Sequence, residues 1–265
     1  MSLLAGLGSA LLLVAQPVPP PAGVSVAAAP AFQFAPPVDR PMTYRVTTRR
    51  IGRDGSLISF SLVYALQWQR MGRGYQLRSV LQRIDSDAPP AVTRALTLML
   101  QPLVGEELAY LVAPDGSRVE LVDPDGLWDR ATARVEAAAA EGDRAEARRL
   151  AQLIAALPAA ERDRLATADA RALVAAANDA ITTAATTEGA SISTRHGGTL
   201  RTIATADTAV VGGTGGAPLH IDQLWTVDTA TGLVMEERRQ SWIVEPDGAA
   251  RTLVEERVRA VEPAS

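Results

Sequence analysis

Two stretches of this chain, roughly 41–84 and 190–262, alternate apolar and polar residues with period two. They bracket a stretch of helical period, roughly 124–186, that is rich in Ala, Arg and acidic residues. A strand sends successive side chains to opposite faces, so sustained alternation demands a sheet with one covered face and one wet face. The cleanest run lies in the first block. Ile58, Phe60, Leu62, Tyr64, Leu66 and Trp68 point one way, while Ser59, Ser61, Gln67 and Gln69 point mostly the other. At ~3.3 Å per residue such a strand runs about 35 Å, a length that suits a strongly curved sheet. Neither block alone has a means of covering its apolar face. The expected fold is therefore α+β: one curved antiparallel sheet, half-barrel-like, with an Ala-rich helical insert (about 124–186) packed on one face.

Turn chemistry divides the blocks. Arg53-Asp54-Gly55-Ser56 and Gly72-Arg73-Gly74 separate three strands, the third carrying Tyr75, Leu77 and Leu81. Residues 91–104 are ambiguous between strand and helix; the Pro-rich entry and Pro102 favour a short helix. Glu107–Ala113 and Arg118–Val122 read as a hairpin across Pro114-Asp115-Gly116-Ser117. Past Asp123-Pro124-Asp125-Gly126, Leu127, Trp128 and Val135 share a helical stripe, and Asp143 with Glu146 has the spacing of a capped helix start. Leu150, Leu153, Ile154 and Leu157 continue at i, i+3, i+4, i+7. Pro158 interrupts, and Thr167 is predicted to cap a further helix bearing Leu173, Val174, Ala177 and Ile181. The Arg and acidic residues of these helices read as a solvated face. Ser191–His196 and Thr199–Ala206 form a hairpin across Gly197-Gly198, and the last three strands form a meander turning at Ala230-Thr231-Gly232 and Pro246-Asp247-Gly248.

Met1–Ala15 is an apolar leader of signal-peptide length, too short to span a bilayer, although no basic residue precedes it. Residues 1–27 read as a signal peptide, 28–40 as a Pro/Ala-rich spacer, and 41–262 as a single domain. The stretch Gln16–Pro37 is expected to be extended and to lack a core. Export to the periplasm or the extracellular space follows from this reading; the alternative is a hydrophobic tail on a cytoplasmic protein. No later run is apolar enough for a transmembrane anchor.

Composition removes several chemistries. All 26 basic residues are Arg, so no Schiff-base or phosphate-loop Lys exists. There is no Cys, which excludes thiol nucleophiles, thiolate metal sites, disulfides and an N-terminal lipidated Cys. The net charge of −4 and the spread of the arginines along strands argue against a nucleic-acid partner. Two histidines, His196 and His220, are too few for a His-rich metal site, and no nucleophile motif accompanies them. The Gly212–Gly216 run has no Lys-Ser/Thr after it and is no phosphate loop. The doublets Glu106-Glu107, Glu236-Glu237 and Glu255-Glu256 fall on strands, where neighbours diverge, and read as solvated charges. No catalytic set, metal site or cofactor is expected.

The runs Leu103-Val104-Gly105-Glu106-Glu107-Leu108, Pro114-Asp115-Gly116 and Trp225-Thr226-Val227-Asp228-Thr229-Ala230-Thr231-Gly232-Leu233 resemble those of a family of uncharacterised secreted bacterial proteins. Ala185–Gly216 departs from that pattern, and the resemblance implies no activity. The architecture is similar to the curved half-barrels of periplasmic lipoprotein carriers, an analogy of fold alone.

The aromatic residues are few, so their placement matters. Phe60, Tyr64, Trp68, Trp128 and Trp225 are the candidate ligand-binding residues, at the seam between the long strand, the closing strands and the helices. Packing into an ordinary core is the competing reading of each. The expected function is a non-enzymatic envelope protein that holds a lipid or other apolar ligand. The alternatives are an envelope interaction or scaffold module with a protein partner and, ranked lowest, a hydrolase using His196 or His220.

Overall fold

In the computed structural model, residues 33–263 are described except 52–54, 143–151, 153–154, 178–180, 182–189, 211–217, 245–249 and parts of 91–99. They belong to one compact unit, Ala31–Ser265. The strands are β1 (Pro41–Ile51), β2 (Leu57–Met71), β3 (Gly74–Ser86), β4 (Glu107–Val112) and β5 (Val119–Leu121), followed by β6 (Ser191–Arg195), β7 (Leu200–Val210), β8 (Pro218–Asp228), β9 (Val234–Val244) and β10 (Arg251–Pro263). Helices α1 (Pro124–Gly142) and α2 (Ala159–Leu173) stand between β5 and β6.

All ten strands join one open sheet in the order β5-β4-β3-β2-β1-β10-β9-β8-β7-β6, and every neighbouring pair is antiparallel. The two strand blocks are thus one sheet, each block a meander, joined where β1 pairs with β10. Most of the regular structure is sheet, so α+β describes it only loosely. In the ambiguous 91–104 stretch, the described positions Thr93, Thr97 and Leu100 are helical and a 3-10 turn covers Gln101–Leu103. The expected cap at Asp143 and the stripe through Leu150, Leu153 and Ile154 lie outside the described residues. Among the described residues, no helix is long and apolar enough to cross a membrane.

The alternation of β2 holds, with help from its neighbour. Gln82 is an extra residue in β3, because Val63 pairs with Arg83 while Tyr64 pairs with Leu81. That bulge lets Ile84 return opposite Leu62 on the face that carries Leu81. Met235 does the same in β9, placing Val234 opposite Val227. One face of the sheet therefore stays apolar where strict alternation would have turned it over.

That face carries two apolar clusters. One joins Val46, Leu66, Trp68, Leu77 and Tyr110 of the sheet to Leu127, Ala170 and Leu173 of the helices. The other joins Ile203, Trp225 and Val227 to Ala175, Ala176 and Ile181, which follow α2. Register places one transverse row across the sheet: Leu62, Val46, Arg259, Glu237, Trp225 and Ile203 are successive partners on β2, β1, β10, β9, β8 and β7. An arginine and a glutamate thus stand between the two clusters.

Helix α1 starts as its sequence suggests. The Asp123 carboxylate accepts the Gly126 N–H at 3.1 Å, and Pro124, lacking a donor, occupies the first turn. Leu127, Ala131 and Val135 form its buried stripe. Helix α2 corrects the expectation for Thr167. The helix begins at Ala159, directly after Pro158, and runs through Thr167 without a break. Thr167 is fully buried, and its hydroxyl donates to the Asp163 carbonyl one turn back at 2.7 Å. With its hydroxyl satisfied in this way, a threonine can occupy a helix interior.

The described end of the Pro-rich stretch also differs from expectation. Phe34 is buried, with its ring edge-on to Trp68 at 5.7 Å and to Tyr75 at 5.3 Å. The Ala35 N–H donates to Thr231 and the Asp39 N–H to Trp68. Gly116, at φ 76°, lies against Phe34, where a Cβ would approach the ring to 3.0 Å. Phe32 and Phe34 stand among Pro and Ala in too short a run to set a period, which is why the packing of Phe34 leaves no pattern in the sequence.

Candidate functional site

A cavity of about 230 Å³ lies between the sheet and the two helices. Its floor is the covered face of β1–β4, with Tyr44, Tyr64, Leu66, Leu77 and Tyr110. Its cover includes Leu127 and Trp128 of α1 and Leu165 and Leu173 of α2. The space exists because small side chains stand where large ones would fill it: Ser79 on the floor, and Ala131, Ala166 and Ala170 on the helices. The alanine content of the insert is thus also the origin of the cavity.

Two carboxylates lie in the wall. Asp169 of α2 accepts from Arg259 Nε at 3.0 Å; Arg259 also donates from Nη1 to Glu237 at 2.7 Å, and Glu237 accepts from Gln223 Nε2 at 2.9 Å. This chain runs from a helix through β10 and β9 to β8 and fastens the cover to the sheet. Burial opposes the charge on Arg259, but Glu237 and Asp169 outweigh it and raise the guanidinium pKa above its ordinary value. The second carboxylate, Glu106, pairs with Arg130 at 3.3 Å and with Arg134, both on α1. Among the described residues that line the cavity there is no arginine.

These contacts correct two expectations. Glu237 and Glu256 are not solvated strand charges; both are buried and paired with arginine. Asp169 is not part of a solvated helix face but points to the sheet. The divergence of strand doublets does hold: Arg49 reaches Glu256 and Arg50 reaches Glu255, side by side on opposite faces.

Three tyrosines belong to this wall. Tyr110 donates to the Ala166 carbonyl at 2.9 Å, tying β4 to α2. Burial, reinforced by Asp169, pushes the Tyr44, Tyr64 and Tyr110 hydroxyls above the ordinary value of 10.0. A raised folded value means that the folded chain keeps these protons after the unfolded chain has lost them. Their stabilising contribution is complete below pH ~10 and falls as the pH climbs from there through the folded values. Ultraviolet titration should therefore show these phenols ionising together with alkaline unfolding. Reversible ionisation of all of them near pH 10, with the fold intact, would contradict the buried wall.

Of the five residues singled out from sequence, Tyr64 and Trp128 line the cavity. Phe60 lies on the same strand opposite Thr48 and Ser86, half-buried and away from the lining. Trp68 is fully buried against Phe34 and Tyr75, paired with the lining residue Leu77 but not itself in the lining. Trp225 belongs to the second apolar cluster. The polar wall residues Ser79, Glu106 and Asp169 were not singled out. Asp169 four residues before Leu173 was the one available hint, a charge on the apolar stripe of α2. His196 is exposed in the turn before β7, and His220 pairs with Thr208 eight residues along the ladder from the Leu200–Asp228 pair, roughly 26 Å away. They share no site. Among the described residues, no group of three or more His, Cys, Asp or Glu could hold a metal ion. Comparison with protein-family models finds no matching family, and comparison with curated protein sequences finds no match.

Proposed function

We propose that this chain is a non-enzymatic, exported envelope protein that binds or carries a lipophilic molecule between its sheet and its helical cover. The carrying observation is the cavity of about 230 Å³, walled by leucines and aromatics and opened by alanines on the helices. An engineered apolar cavity of roughly 150 Å³ stays dry and admits benzene, and at ~30 Å³ per water-sized group this one accommodates roughly eight such groups. A ten-stranded open antiparallel sheet is near the size at which sheets curl, and such curling would wrap the floor around a ligand in a half-barrel. The apolar leader supports export.

Organic extraction of the purified chain, followed by mass spectrometry, should return a co-purifying lipid. The fluorescent probe N-phenyl-1-naphthylamine should bind and brighten. Ala166→Phe, which adds an aromatic ring to the cover, should weaken probe binding by about tenfold or more, over ~1.4 kcal/mol, with little change in melting temperature. A lipid-free extract together with equal probe response from both proteins would overturn the reading.

A further inference from the structure

Two polar groups in the cavity wall lack a hydrogen-bond partner among the described residues: the Tyr44 hydroxyl on the floor and the Trp128 indole N–H on the cover. Tyr44 is only 4% exposed. A buried polar atom without a partner weakens the fold unless something else supplies one. The indole N–H can only donate, and a phenol with its pKa raised stays protonated and can donate as well. Both groups therefore ask for an acceptor.

The charges around them narrow its chemistry. Among the described residues, the wall contains two carboxylates, Asp169 and Glu106, and no arginine. The cations nearest them, Arg259 and Arg257 beside Asp169 and Arg130 and Arg134 beside Glu106, are engaged with those carboxylates. An anionic ligand would be desolvated next to two like charges whose cations are already paired with them. An ammonium ligand would complement the carboxylates, being opposite in sign, but leave both donors unfilled.

We propose that the cavity takes a neutral single-chain ester, its carbonyl accepting from Tyr44 and Trp128 and its chain lying along the leucines. This rests on the lipophilic-ligand reading above and specifies the polar end of the ligand. The volume, enough for roughly eight water-sized groups, takes most of one decanoyl chain and leaves no room for a second.

The test uses the full chain after delipidation. Displacement of N-phenyl-1-naphthylamine is measured with monodecanoylglycerol, decanoate and decylamine at neutral pH. The ester should displace the probe at a concentration at least about tenfold below either charged chain. Tyr44→Phe and Trp128→Phe should each weaken ester binding about three- to tenfold relative to the same variant's own affinity for the probe, the worth of one hydrogen bond. Tyr44→Phe should keep or raise the melting temperature, since it removes a hydroxyl that has no partner. If Tyr44→Phe unfolds, Trp128→Phe on the cover gives the same reading. Decanoate or decylamine matching the ester, or ester affinity untouched by the folded variants, overturns the ester proposal while leaving a lipophilic site in place. Failure of the wild-type chain to bind the probe or any of the three ligands overturns both.

Discussion

Replacing Arg259 with Met is expected to destabilise the folded chain by ~3–5 kcal/mol, the cost typical of breaking a buried ion pair by removing one partner. The Arg259 side chain is 12% exposed and bonds both Glu237 and Asp169. Met fills much of the volume, so the loss is electrostatic: the Glu237 carboxylate, 6% exposed, would keep only Gln223. Adding Glu237→Gln to Arg259→Met should return part of that loss, because the second change removes the charge left without a cation. Denaturant melts of the wild type, both single variants and the double variant form a cycle that measures the coupling. A loss below ~1 kcal/mol for Arg259→Met would mean that water screens the network, as it does for surface pairs. The site gives this prediction a second readout. Asp169 would lose its strongest tie to the sheet, so the cover over the cavity should loosen and probe affinity should fall with stability.

Trp68→Ala should cost ~3–5 kcal/mol, as large-to-small changes of fully buried aromatics do. Trp68 is 0% exposed and meets Phe34 and Tyr75 edge-on. Its indole N–H has no partner among the described residues, so the loss is one of packing, and Trp68→Phe should cost far less than Trp68→Ala. The substitution also has a local signature. The Asp39 N–H bonds the Trp68 carbonyl, and Phe34 leans on the Trp68 ring, so Trp68 is a principal anchor of residues 33–39. Limited proteolysis of Trp68→Ala under native conditions should cut at 33–39 earlier than in the wild type. Unchanged cleavage there, with stability lost, would place the anchoring of that segment elsewhere.

Much of the sheet was legible because period-two alternation is a direct image of a half-covered strand. Ile58–Trp68, the Gly72-Arg73 turn and the strands of the closing meander appear where the alternation places them, the Pro246-Asp247-Gly248 turn lying outside the described residues, and the union of the two blocks followed from their bare apolar faces. The misreadings share a physical cause. Thr167 and Asp169 were judged by what their types usually do, cap a helix and face water, but an i−4 carbonyl and an arginine on β10 satisfy them where they stand. Glu237 was expected in water because its buried partner, Arg259, is distant in sequence and nothing local announces the pairing. The site was half legible. Aromatics at the seam, Tyr64 and Trp128, line the cavity, but a cavity is made by what is missing, and Ala131, Ala166 and Ser79 look in sequence like ordinary small residues.

The pairing of β1 with β10 sets the order in which this sheet can be built. Arg49 and Glu256 meet across it from positions 207 residues apart in the chain. Closing a loop of that length costs about 5 kcal/mol of chain entropy before any contact repays it. The two meanders involve only nearby strands and can form early, whereas the strand pair between them must wait for the last segment of the polypeptide. Until then β1 offers an unpaired edge to any other chain. A polypeptide cut short before residue 251 would lose the middle of its sheet rather than its margin, leaving two separate ribbons with the cavity floor on only one of them.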